Sequence, residues 1–271
     1  MAVILMKVGA DPEWIFWDSD ENVIVPASLF CGGAGDTAHA IGTDGHSVTA
    51  EMRTTPNKNV LMLLLDIATK LGVVETALAD VNARGGRHIT AVAQPYFADE
   101  PLGGHIHLSY WTDMDPSAHN VWRAAYQKVD PLIMPFYRET LWKRRLHRLG
   151  DDYTYREQPM PNPPAPPRVG WKAYRVEYRR PATWLVNPAM AYAYLGLAKL
   201  AMINCDNRRP PAALVAEGFH PYLTRFLEMS RTNVTPDLED LAVAVRKSIA
   251  FVAETEPPYF IDFTAWRRVM E

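Results

Sequence analysis

Apolar positions fall into short runs in the first third of the chain and into helical spacing in its last third. Val3–Val8, Trp14–Trp17 and Val23–Pro26 are brief apolar or aromatic stretches, and the polar run Asp18-Ser-Asp-Glu-Asn22 predicts a hairpin turn between the last two. Cys31-Gly-Gly-Ala-Gly35 and Gly42-Thr-Asp-Gly45 punctuate the next stretch, Ser47–Arg53 alternates like a strand, and Thr54-Thr-Pro-Asn57 reads as a helix entry. From Asn57 to Leu71 apolar residues recur at helical spacing, and Val73–Ala83 extends the pattern past Gly72. Strand character returns at His88–Phe97, Gly104–Trp111 and Trp171–Arg179, with a helical region over Ala118–His147 interrupted at Pro131 and Pro135. Prolines at 159, 161, 163, 164, 166 and 167 predict an extended surface loop or lid. Beyond Asn187 the spacing is helical, near 188–204, 211–229 and 235–254. Hairpin-linked strands followed by helices predict an α+β fold on a mainly antiparallel sheet: one domain over 1–271, strand-rich to about 185 and helical from about 186.

Composition narrows the class. Of 271 residues, 48% are apolar and 22% charged, which is globular and not disordered, collagen-like or coiled-coil. A net charge of −3 supplies no field to recruit nucleic acid or an acidic membrane. Cys31 and Cys205 are too few for a disulfide framework and lack metal-site spacing, which predicts a reducing, cytoplasmic setting. Met1–Met6 runs into Lys7 without the features of a signal peptide, and Val60–Leu65 is broken by Asp66 and Lys70, far short of a membrane span.

The chemistry is carried by four strand segments, each holding two polar residues two positions apart: Asp11 and Glu13, Glu51 and Arg53, His105 and His107, Glu177 and Arg179. Residues i and i+2 of a strand share a face, while the neighbours Trp14, Met52, Ile106, Val176 and Tyr178 face the packed side. One such pair is ordinary on the open face of an antiparallel sheet, or a cross-strand salt bridge. Four converging pairs would crowd carboxylates and imidazoles until a cation bound among them. Gly103-Gly104 before the histidines predicts a close backbone approach.

These segments carry a resemblance. Gly9-Ala-Asp-Pro-Glu13, Gly42-Thr-Asp-Gly45 leading to Glu51-Met-Arg53, Gly103-Gly-His-Ile-His107 and Glu177-Tyr-Arg-Arg-Pro181 occur in the order seen in phage-type carboxylate–amine (COOH·NH2) ligases, type 2, of the glutamine synthetase and glutamate–cysteine ligase superfamily. The similarity runs from about residue 7 to about 185; the helical C-terminus and the proline loop carry no matching motif. It implies a curved antiparallel sheet with helices on its convex face, a site for ATP and Mg²⁺ (or Mn²⁺), and amide-bond formation through an acyl phosphate. It further implies that Asp11, Glu13, Glu51, His105 and Glu177 hold metal and that His107 lies near the nucleotide phosphates. Arg179 would hold the transferred phosphoryl group or the substrate carboxylate, Arg53 would contact substrate or support a residue that does, and Arg156 would contact phosphate or substrate. Small-molecule or peptide acids and amines are the implied substrates, in the host cytoplasm for a phage-encoded enzyme; neither substrate nor oligomeric state is named.

Two other readings stay open: a metal hydrolase activating water at His105-Ile-His107 without nucleotide, and a non-catalytic relative that binds nucleotide or an acidic peptide. Four features read as structural. Cys31–Gly35 lacks the ending of a phosphate-binding loop, Lys143-Arg-Arg145 with His147 and Arg148 reads as a solvated helix end with a polyanion or substrate contact as the alternative, turn chemistry accounts for Asp44, and the sequon at Asn233 matters only after secretion.

Overall fold

The two apolar runs at the start of the chain form one long strand, β1 (Val3–Asp18). Pro12 interrupts the sequence pattern without ending the strand. Its missing N–H falls where β1 leaves the ladder with β8 (Pro12 opposite Gly104) and enters the ladder with β4 (Glu13 opposite Glu51). The computed structural model describes residues 3–31, 39–44, 48–113, 141, 143–145, 155–160, 162–203 and 238–271.

The remaining strands are β2 (Val23–Val25), β3 (Ile41–Thr43), β4 (Thr49–Met52), β5 (Ile89–Val92), β6 (Tyr96–Phe97), β7 (Glu100–Pro101), β8 (Gly104–Thr112), β9 (Tyr155–Pro159) and β10 (Lys172–Tyr178). Eight of them form a sheet in the order β3-β4-β1-β8-β10-β9, with β2 and β5 also paired to β1; β6 and β7 pair separately. Every ladder described is antiparallel. The hairpin predicted at Asp18–Asn22 joins β1 to β2, with Asn22 at φ +57°. Strand β9, which proline-rich sequence conceals, pairs along β10, so the proline loop is the connection of a hairpin. Its described residues 162–169 are exposed, and its base packs Met160 and Trp171 against Met6, Trp111 and Ala173.

Helix α1 (Val60–Gly85) is continuous through Gly72. Asn59 caps it by accepting from the Leu61 N–H, and Gly86 closes it at φ +58°. Its buried residues Val60, Leu63, Leu64, Ile67, Leu71, Val74 and Leu78 form a single stripe. Helices α2 (Pro188–Ile203), α3 (Leu238–Glu254) and α4 (Phe263–Arg267) complete the described helical elements. One core joins these helices to the sheet residues Val8, Ala10, Trp14, Phe16, Ile106, Leu108, Tyr110, Val176 and Tyr178. The helices therefore cover one face, and strand alternation turns Gly9, Asp11, Glu13, Glu51, His105, His107, Ser109, Arg175 and Glu177 to the other.

No described helix is long and apolar enough to cross a membrane. Most of the predicted helix at 118–147, the helix at 211–229, Gly32–Gly35, Gly45, Cys205 and Asn233 lie outside the described residues.

Candidate active site

Register brings the four sequence pairs together. Across β1 and β8, Asp11 faces His105 and Gly9 faces His107; across β8 and β10, His107 faces Glu177; across β1 and β4, Glu13 faces Glu51. Like charges placed directly opposite destabilise a sheet, so the Glu13–Glu51 pair is a feature that packing alone does not favour. Asp11, His107 and Glu177 each offer a ligand atom, and these atoms lie within 4.8 Å of one another. His107 Nε2 is 2.7 Å from Asp11 Oδ1, and its buried Nδ1 has no hydrogen-bond partner among the described residues. His105 Nδ1 lies 3.6 Å from Glu177 Oε1 and 3.9 Å from Asp11 Oδ2.

The basic residues sit around this cluster. Arg179 Nε is 3.2 Å from Glu177 Oε1, and Arg53 Nε is 3.3 Å from Glu51 Oε1. Arg156 on β9 is exposed and stands opposite Glu177 in the ladder. One row toward the proline loop, exposed Lys7 and Arg175 flank Ser109 on the same face. Sequence reading passed over both, although the i, i+2 rule places them in line with Gly9 and Glu177.

The loop before β8 seats the acid on β1. Buried Glu13 accepts from the Gly103 N–H at 2.5 Å, and the Glu13 N–H donates to the Gly103 carbonyl at 2.8 Å. A Cβ at Gly103 would come within 2.6 Å of His105 Nε2 and 3.2 Å of Glu13 Oε1. At Gly104 it would meet the Ala182 carbonyl oxygen at 2.4 Å and the Trp184 ring at 2.6 Å, where Trp184 Nε1 donates to the Gly104 carbonyl. Gly103→Ala is expected to fold, because yielding side chains are in its way, and to weaken Mn²⁺ binding in a calorimetric titration. Gly104→Ala meets backbone and is expected to cost about 1–3 kcal/mol in denaturant unfolding.

Burial and mutual repulsion shift the ionisable groups of the cluster. Burial and the neighbouring charges of Asp44 and Glu51 push the Glu13 carboxyl well above its usual range, against the Gly103 hydrogen bond and the Arg145 charge that pull it down. Burial, with the carboxylates of Asp11 and Asp44, raises Glu51 to about 8. For Asp11, burial pushes upward, but the hydrogen bond and charge of His107 and the charge of His105 leave it below the ordinary value. Burial lowers His105 to about 3, which keeps its imidazole neutral and a competent donor. Oxygen donors with imidazole suit Mg²⁺ or Mn²⁺, and a cation among these groups would relieve the cost of ionising Glu13 and Glu51.

Two residues read as structural from sequence belong beside this site. Asp44 follows β3, and its carboxylate is near enough to Glu51 to raise it, adding an acid to the cluster; its turn setting concealed it. Arg145 is not a solvated helix end. It is 1% exposed, and its guanidinium donates to the carbonyls of Leu102, Arg179 and Arg180. The basic run at 143–145 resembles helix-end chemistry, and nothing local distinguishes its last member.

Residues 8–144 match the family described as phage phiEco32-like COOH.NH2 ligase-type 2, and the chain belongs to that family. No curated protein matches the sequence. Among solved structures, the chain is similar to the ligase in the complex of the prokaryotic ubiquitin-like protein Pup with PafA (10% identity, TM-score 0.49, 97% of this chain and 62% of that one). It is also similar to ligand-free GmaS (13% identity, TM-score 0.48, 93% and 70%) and to Plasmodium falciparum glutamine synthetase (13%, 0.47, 76% and 52%). The chain thus spans 62% of the length of the first of these.

Proposed function

We propose that the chain is an ATP-dependent ligase that joins a carboxylate to an amine through an acyl phosphate. The observation that carries this reading is the Asp11, His107 and Glu177 donor cluster with Arg179 against Glu177, on a sheet face of a chain from this family. A free carboxylate is a poor electrophile because its oxygen leaves badly. In the reaction proposed, a carboxylate oxygen of the acid attacks the γ-phosphorus of ATP and ADP departs. The amine then attacks the acyl carbon, phosphate leaves, and the nitrogen loses a proton to give the amide.

Asp11, Glu13, Glu51 and Glu177 would hold Mg²⁺ or Mn²⁺, which when bound neutralises charge on the phosphates. Of the two imidazoles, the open Nδ1 of His107 and its place in the donor cluster favour it as the nitrogen ligand. His105, buried and neutral, would orient Asp11 and Glu177, with metal contact as its alternative role. Arg179 would hold the transferring phosphoryl group or the acid, and Arg156, Lys7 and Arg175 extend positive charge along β9, β1 and β10 where a polyphosphate would lie. Arg53, tied to Glu51, would contact substrate from the β4 side. The reading treats 1–271 as one catalytic unit, takes small-molecule or peptide acids and amines as substrates, and, from the family's description, places the enzyme in a phage-infected cytoplasm.

The test is phosphate release from ATP with Mn²⁺ and pooled acids and amines, with hydroxylamine as a surrogate amine. Release that requires an acid, together with hydroxamate formation, is expected. Metal-dependent cleavage of amides or esters without ATP would replace this reading with a hydrolase.

A further inference from the structure

We propose that Arg145 is a positioning residue that fixes the two backbone segments carrying Gly103 and Arg179, and so sets the wall of the site between Glu13 and Glu177. The proposal deepens the ligase reading and rests on it for its nucleotide arm only.

Strand β10 ends at Tyr178 opposite Ile106, and the chain continues through Arg179, Arg180 and Pro181 along the start of β8 with one extra residue, so that Ala182 lies opposite Gly103. There the Gly104 N–H donates to the Pro181 carbonyl at 2.9 Å, the Thr183 N–H to the Leu102 carbonyl at 3.2 Å, and Gly103 bridges Ala182. This contact is only one bridge long, yet each side carries site chemistry: Gly103 holds Glu13, and Arg179 reaches Glu177.

Arg145 spans the two segments. Its Nε donates to the Leu102 carbonyl at 3.1 Å, one terminal nitrogen to the Arg180 carbonyl at 2.9 Å and the other to the Arg179 carbonyl at 3.3 Å. A planar fork with fixed donor directions can engage carbonyls of two segments at once, whereas a lysine ammonium at that depth cannot reproduce three directions. Burying a guanidinium is costly unless its donors are satisfied, so a site this deep exists to hold those carbonyls. Its positive charge also lies near Glu13 and His105.

The test uses the full chain as Arg145→Ala and Arg145→Lys. Amide hydrogen exchange at Gly104 and Thr183 is expected to quicken about tenfold or more in Arg145→Ala, the scale of one lost charge-assisted hydrogen bond, while Leu108 and Val176 in the sheet keep their protection. Added guanidinium is expected to restore slow exchange. With Mn²⁺ present, Arg145→Lys is expected to bind ADP about tenfold more weakly than wild type despite keeping the charge. Wild-type exchange at both amides, exchange raised equally across the sheet, or failure of guanidinium to rescue would overturn the proposal. If wild type binds no ADP, the ligase reading fails, and the exchange arm still decides the role of Arg145.

Discussion

Glu177→Gln is expected to cut the rate of phosphate release about a hundred- to thousandfold while leaving the fold intact, a loss of the size seen when one preorganised group at a transition state is removed. Glu177 stands where three requirements meet. It belongs to the donor cluster with Asp11 and His107, its Oε1 lies 3.2 Å from Arg179 Nε, and the same oxygen lies 3.6 Å from His105 Nδ1. Glutamine keeps the volume, so the ladder between β8 and β10 has no reason to change. What it removes is the charge that attracts a cation and aligns Arg179. The thermal midpoint of the metal-free variant should therefore match or exceed that of wild type, and metal-dependent ADP binding should be lost. A variant that keeps both ADP binding and turnover would remove Glu177 from the site.

The second large effect is a stability profile that runs against the usual pH behaviour of carboxylates. Glu51 ionises near 8 in the folded state against an ordinary value of 4.5, and Glu13 is shifted the same way. Below the ordinary value both states keep the proton. Above it the unfolded chain releases the proton and the folded chain retains it, so stability falls as pH rises and levels off past the folded value. His105, lowered to about 3, works oppositely, but its contribution is complete above its ordinary value of 6.5. Asp11, lowered from 3.8, has finished titrating well below that. Between pH 6.5 and 8 the raised carboxylates dominate among the shifted groups of the site. Metal-free protein is expected to melt at progressively lower temperature across that window. Mn²⁺ should reverse the trend, stabilising more at pH 8, where fewer protons compete for the ligands. Glu51→Gln should flatten the slope and raise the metal-free midpoint at pH 8 by roughly 3 °C or more, the response of a domain of a couple of hundred residues to about 1 kcal/mol. A flat wild-type profile, or an unchanged slope in the variant, would count against a frustrated acidic cluster.

The candidate site was legible in the sequence to the extent that strand alternation governs it. Asp11 and Glu13, His105 and His107, and Glu177 sit at i, i+2 spacing, and apolar neighbours such as Ile106 and Val176 enter the core as that spacing requires. The Gly103-Gly104 step announced a close approach, and the structure shows what approaches: Glu13 and His105 on one side, Ala182 and Trp184 on the other. Register was not legible. Nothing local says that Glu13 lies opposite Glu51, because that pairing depends on where β1 changes partners at Pro12. The same limit concealed β9, whose closing Pro159 argues against a strand but suits an edge strand, and the continuity of β1 through a proline. Asp44 and Arg145 were misread for a related reason. A turn aspartate and a helix-end arginine each have sufficient local explanations, and their roles arise from contacts across the fold with Glu51 and with the carbonyls of Leu102, Arg179 and Arg180.

On the proposed reading, the acidic face of the sheet holds a divalent cation and a nucleotide together. Titration of Mn²⁺ followed by electron paramagnetic resonance, with and without ADP, tests it most directly. Coupled sites are reciprocal, so ADP should tighten Mn²⁺ by the same factor by which Mn²⁺ tightens ADP, and Glu177→Gln should abolish the coupling. Mn²⁺ bound by wild type with an affinity that ADP leaves unchanged would contradict the account and point to metal chemistry without a nucleotide.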